Sequence, residues 1–151
     1  MRTYKREVET ILMALRVSQW ATHPEVWAVI AEYEHLGGAW KVFVHKRRVA
    51  LQILHASRSL DSLLKHMVEH ERAKTGRSGP HLTLGKSLRE IQASHIGGKY
   101  FTPPTEADIG RLTRDRNTYL HEADNFPSDP TIQIFLSRTI RAINEAITFP
   151  P

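Results

Sequence analysis

The chain has 151 residues, enough for one domain with a continuous apolar core. Hydrophobic residues make up 40% and charged residues 25%, which excludes a disordered chain, and no run of about 18 apolar residues exists to cross a membrane. The formal charge of +5 and a pI near 9.7 favour polyanions only weakly, and the absence of cysteine excludes disulfides and thiolate metal sites and points to a cytoplasmic setting.

Turn signals divide the chain into helical periods, and no segment alternates as a strand would. A first helix is expected over residues 5–20, with Val8, Ile11, Leu12, Leu15 and Trp20 on one face. Ile11 to Val17, interrupted by Arg16, is too short and polar for a signal-peptide core. Thr22-His-Pro-Glu25 reads as a capping box opening a second helix that ends at Gly37-Gly38. Residues 39–73 contain neither glycine nor proline, and Trp40, Val44, Leu51, Leu54, Leu60, Leu63, Leu64 and Met67 recur at helical spacing. Such a helix spans about 50 Å, long for this chain, so it is expected to bend or to pair with a second subunit. Residues 74–81 form a basic, glycine-rich loop. A short helix follows at 83–94, closed by Gly97-Gly98. Pro103-Pro104 and Thr105 start the next helix, with Glu106 and Asp108 as carboxylates in its positive first turn. It is expected to reach 121–124 and to stop at Asn125-Phe-Pro127. Asp129-Pro130 opens the last helix, whose stripe is Ile132, Leu136, Ile140, Ile143 and Ile147, and Pro150-Pro151 closes it. The reading is all-α: one bundle of five to six helices over 1–151, with a long central helix.

One helix breaks its own pattern. Ile109, Leu112, Tyr119 and Ala123 make an apolar face with Arg116 in its middle, and an inward guanidinium needs a partner or a polar cavity. Arg114, Asn117, His121 and Asp124 occupy the adjoining face. The spacing Arg116-Asn-Thr-Tyr-Leu-His121 resembles the R-x4-H motif of the HEPN superfamily, all-helical domains rich in ribonucleases and toxins. Asn117 after the arginine, and a position near the end of a late helix, agree with that motif. The resemblance implies metal-independent RNA cleavage of toxin or phage-defence type, with no cofactor. Attack would come from the RNA's own 2′-hydroxyl. His121 would take the 2′-hydroxyl proton, Arg116 would stabilise charge on the phosphate, and Asn117 would orient it. It also implies an antitoxin partner for toxins of this type. Ala123 stands where nucleotidylated HEPN toxins carry tyrosine, which argues against that control.

Five residues separate Arg116 and His121 by about 140° around a helix and ~7.5 Å along it. One rigid helix does not aim both at one phosphate; the resemblance implies a homodimer that brings two motifs into one composite cleft, and a dimer is expected for that reason. The competing reading is a non-catalytic interaction or RNA-binding module. In it Arg116 is a buried ion-pair partner and His121 caps its helix.

Other constellations carry less. His66-Met-Val-Glu69-His70 matches a zinc-protease pattern, with Glu145 downstream, but lacks the α/β scaffold such enzymes use. Those histidines continue a polar stripe through Arg48, Gln52, His55, Ser59 and Ser62, read as a solvated face or, less favoured, an RNA groove. Gly79 to Ser87 nearly matches a phosphate loop but has one residue too many and no preceding strand. Arg114, Arg48, His55, Lys74 and Arg77 remain as candidate RNA contacts, and Lys86 could add to a basic patch. Tyr100 and Phe101, beside Lys99, read as packing residues rather than base-stacking ones.

Overall fold

The computed structural model describes residues 2–22, 24–39, 41, 43–93, 100–121 and 126–148. It is all-helical, and the described residues form six α-helices and one 3-10 turn. The helices are α1 (Arg2–Val17), α2 (Pro24–Ala39), α3 (His45–Thr75), α4 (Leu84–Ala93), α5 (Pro103–His121) and α6 (Asp129–Thr148). The 3-10 turn, Gln19–Thr22, joins α1 to α2.

The 31 residues of α3 run about 46 Å and form the spine of the bundle. Val49, Ile53, Ala56, Leu60, Leu63, Leu64, Met67 and Val68 are buried, so apolar residues occupy more than one side of the helix. That is what packing demands of a helix sheathed by α2, α4, α5 and α6. It therefore finds its partners within its own chain, and the length of α3 gives no reason to invoke a second subunit. α1 instead packs chiefly on α2 and α6, using Val8, Ile11 and Leu15. The α6 stripe is as expected: Ile132, Leu136, Ile140 and Ile143 are buried, and Ile147 packs against the core.

Helix ends depart from expectation for identifiable reasons. α2 runs through Gly37 and Gly38 to Ala39, because neither glycine adopts a positive φ and Leu36 and Ala39 remain buried. α3 starts only at His45. Val44 stands at its N-cap in extended backbone (φ −71°, ψ 112°), is exposed, and supplies no side-chain cap. At the other end Gly76 takes the left-handed conformation (φ 65°), and Arg77 N–H closes on the Arg72 carbonyl at 2.9 Å. Ser128, rather than Asp129, caps α6 by accepting from Thr131 N–H at 3.4 Å.

Thr22 donates its hydroxyl to the Gln19 carbonyl within the 3-10 turn. His23 and the side chains of Pro24 and Glu25 in that capping box, together with Trp40, Gly97-Gly98, Lys99, residues 122–125 and the closing prolines, lie outside the described residues.

Two other assignments change. The polar stripe of α3 is not a solvated face: Gln52, Ser59 and His66 are buried beneath α2 and the 3-10 turn. His66 and His70 both meet the Trp20 ring edge-on, at centroid distances of 5.2 and 5.6 Å. Asp108 is not a first-turn carboxylate, because α5 starts at Pro103 and its first turn holds only Glu106. Its side chain is buried and gathers Arg111 at 3.5 Å, Arg138 at 3.3 Å, and Arg141.

Candidate functional site

α5 lies against α3, with Ile109 and Leu112 buried and Tyr119 packed on the core. Arg116 occupies the next position on that face, so the helix drives its guanidinium toward α3. There Arg116, Leu54, Ser57, Arg58 and Asp61 line one small cleft with a cavity of about 20 Å³. Such a space takes one water-sized group, so anything larger meets these side chains at the mouth.

Polar groups in the cleft are incompletely satisfied. The Arg116 Nη1 donates to Asn117 Oδ1 at 3.0 Å, while its Nε is buried without a hydrogen-bond partner. Ser57 Oγ and one Asp61 carboxylate oxygen are in the same condition. Burial pushes the Asp61 carboxyl above the ordinary carboxylate range, and the nearby Arg116 charge opposes that rise without reversing it. Arg58 spans two settings: its Nε meets Glu32 at 2.8 Å, and its side chain also lines the cleft. Two arginines therefore border one cavity with a carboxyl held toward its neutral form.

His121 is the last residue of α5, and its side chain lies outside the described residues. The helix is continuous from Arg116 to it, so the ~7.5 Å rise between them holds. Asn117 is exposed and orients the Arg116 guanidinium directly. Arg114 is exposed on the same helix.

The remaining candidate contacts do not form one patch. His55 turns toward α2, where Nδ1 meets Glu32 Oε2 at 2.7 Å and the ring stacks on His35. Arg48 approaches Asp129 at 4.0 Å, near the start of α3. Lys74 and Arg77 lie at the far end of α3, about 39 Å from Arg48 along the axis, and Lys74 approaches Glu71 at 4.0 Å.

The zinc pattern does not assemble. Glu145 accepts from Thr102 N–H at 2.8 Å and from the Thr102 and Thr105 hydroxyls, at the start of α5. Among the described residues no group of three or more potential ligands is placed to hold a metal. The near phosphate loop also dissolves. Arg72 pairs with Glu90 and donates to the Pro80 carbonyl at 3.3 Å, and Gly79 lies so close to that guanidinium that a Cβ would displace it. Tyr100 and Phe101 are packing residues, buried, with the Tyr100 hydroxyl donating to Glu71 at 2.6 Å.

Ser57, Arg58 and Asp61 are absent from the sequence reading of the site. Their signal was present, because three polar residues within five positions interrupt the apolar period of α3. Comparison with known proteins finds no matching family model, no similar curated protein and no similar solved structure.

Proposed function

We propose that the chain is a metal-independent RNA endonuclease of HEPN type, using Arg116, Asn117 and His121. The observation that carries this reading is the state of Arg116. It sits in the apolar face of α5 at a polar cleft shared with Arg58, and its buried Nε has no hydrogen-bond partner. Asp61 lies within electrostatic reach in the same cleft but does not close on the guanidinium in a salt bridge, whereas a structural arginine in that place would be expected in a close ion pair. An arginine held beside a second guanidinium suits a phosphate that gains charge in the transition state.

In this mechanism His121 removes the 2′-hydroxyl proton, the 2′-oxygen attacks the adjacent phosphorus, and the bond to the 5′-oxygen breaks. A second imidazole returns a proton to that leaving oxygen. The products are a 2′,3′-cyclic phosphate and a 5′-hydroxyl, and no metal takes part. Two copies of the 116–121 segment would supply both imidazoles across a composite cleft.

The test is single-turnover cleavage of RNA in EDTA by wild type, Arg116→Ala, His121→Ala and the double variant, with melting curves on each. His121→Ala is expected to slow cleavage about 100- to 10,000-fold, and Arg116→Ala on the order of 100-fold or more. The double variant should fall well short of the product, since both groups serve one transition state. Normal cleavage by folded single variants would sink the assignment. A protein that does not cut, and that Arg116→Ala strongly destabilises, would be an interaction module.

A further inference from the structure

Three polar atoms on the wall of the Arg116 cleft have hydrogen-bonding capacity left unused. Ser57 Oγ and one Asp61 carboxylate oxygen come from α3, one turn apart, and Arg116 Nε comes from α5. Ser57 is 5% exposed, so bulk solvent does not serve its hydroxyl. Buried polar groups are rarely left so, and three around one cavity mark a place where a ligand atom completes them. The cavity, about 20 Å³, takes a single oxygen.

Charge decides what kind of oxygen it takes. Asp61 is faced by Arg116 from α5, by Lys65 of α3 and by His81 from the loop before α4, and Arg58 borders the same cleft. Arg58 is held by Glu32 and Lys65 approaches Glu69 at 3.8 Å, whereas no carboxylate among the described residues closes on Arg116. Cations therefore outnumber acids here, and a metal ion would be repelled. Asp61, the one acid lining the cavity, is pushed by burial toward its neutral form, in which it donates. Arg116 Nε–H, the Ser57 hydroxyl and the Asp61 carboxyl then offer three donors. An anionic oxygen accepts from all three, whereas a water molecule brings two protons of its own.

We propose that Ser57 and Asp61 complete, with Arg116, a seat for one non-bridging oxygen of a phosphate group. The choice of RNA as the source of that phosphate rests on the ribonuclease reading; the choice of an oxyanion does not. Asp61 donates only when neutral, and its ionised form repels the phosphate and attracts Arg116 in its place. Affinity is therefore full below the folded pKa of Asp61 and falls about tenfold per pH unit above it.

The test follows the Arg116 Nε–H resonance of the full chain by NMR during titration with sulfate, which keeps its charge from mild acid to neutral pH, at constant ionic strength. A saturable shift is expected. Ser57→Ala should weaken sulfate about 10- to 150-fold, the effect of one hydrogen bond to a charged group. Wild-type affinity should fall as pH rises, while Asp61→Asn, whose amide donates without titrating, should keep its affinity at neutral pH. Arg89→Gln, removing an exposed cation on α4, should change neither. Melting curves identify a variant that fails to fold, and if Ser57→Ala does, the pH profile of Asp61→Asn decides alone.

A 2′-O-methyl dinucleotide, which lacks the attacking hydroxyl and stays intact, then distinguishes the source. The same dependence on Ser57 and Asp61 assigns the seat to a phosphodiester, and dependence with sulfate alone assigns it to a free phosphate. No shift at Arg116 Nε with either probe would overturn the proposal. So would equal affinities of wild type and folded Ser57→Ala with no effect of pH, which would leave a cleft for water only. The two readings fail separately. RNA cleavage unchanged in Ser57→Ala and Asp61→Asn removes the seat alone. The expected sulfate profile in a protein that cuts no RNA removes the ribonuclease alone.

Discussion

Two carboxyl groups in this bundle respond to pH in opposite senses. Burial raises the Asp61 carboxyl, and Arg116 only partly offsets it. A raised acid contributes proton-linked stability that is fully present below its unfolded pKa and lost as pH rises through its folded pKa. Asp61→Asn removes that loss, so its melting temperature should gain on the wild type as pH is raised from acid to neutral. Glu145 behaves the other way. Burial pushes it upward, but hydrogen bonds from Thr105 and Thr102, with Arg141 nearby, hold it below the ordinary range. Its contribution is present above the unfolded pKa and lost as pH falls through the depressed folded pKa. Glu145→Gln should therefore lower the melting temperature at neutral pH, with the deficit shrinking in acid. Thermal denaturation followed by circular dichroism across a pH series reads both. Arg116 was legible as an anomaly because a charge in an apolar stripe is visible in one helix. Asp61 was not, because its meaning depends on α5 packing over it.

Among the elements, glycines give the sharpest contrast. Gly38 is helical and exposed, and a Cβ there meets nothing within 4 Å. Gly38→Ala should stabilise by roughly 0.5–1 kcal/mol by restricting the unfolded chain. Gly76 sits at φ 65°, also in open space, so Gly76→Ala should cost about 1–2 kcal/mol through backbone strain alone. Urea denaturation of both variants separates conformational from steric causes, because neither added methyl touches a neighbour. The Gly37-Gly38 pair reads as a helix stop in the sequence, yet burial of Leu36 and Ala39 carries α2 through it. Apolar period and turn chemistry predict where helices exist. Which neighbour covers each face is set by tertiary packing, which is why the α3 stripe of Gln52, His55, Ser59 and His66 could be mistaken for surface.

At the scale of the whole molecule, the all-helical class and the long central helix follow from periodicity alone. The distribution of charge does not: Lys74 and Arg77 fall at the opposite end of α3 from the basic residues that open it. If the composite cleft is the working form, sedimentation should show a dimer at micromolar concentration, and full activity from a strict monomer would remove that requirement. No helix among the described residues is long and apolar enough to cross a membrane.

Because four helices close on α3 while α1 leans chiefly on α2 and α6, the bundle need not open all at once. Detaching α1 exposes the faces of Val8, Ile11 and Leu15 but leaves the sheath around Ile53–Val68 in place. Amide hydrogen exchange should then divide into two classes. Protons on α1 should exchange through a low-energy partial opening that depends weakly on denaturant. Those in the middle of α3 should exchange only with global unfolding and carry its full denaturant dependence. Equal protection across α1 and α3 would mean that the first helix is locked to the spine.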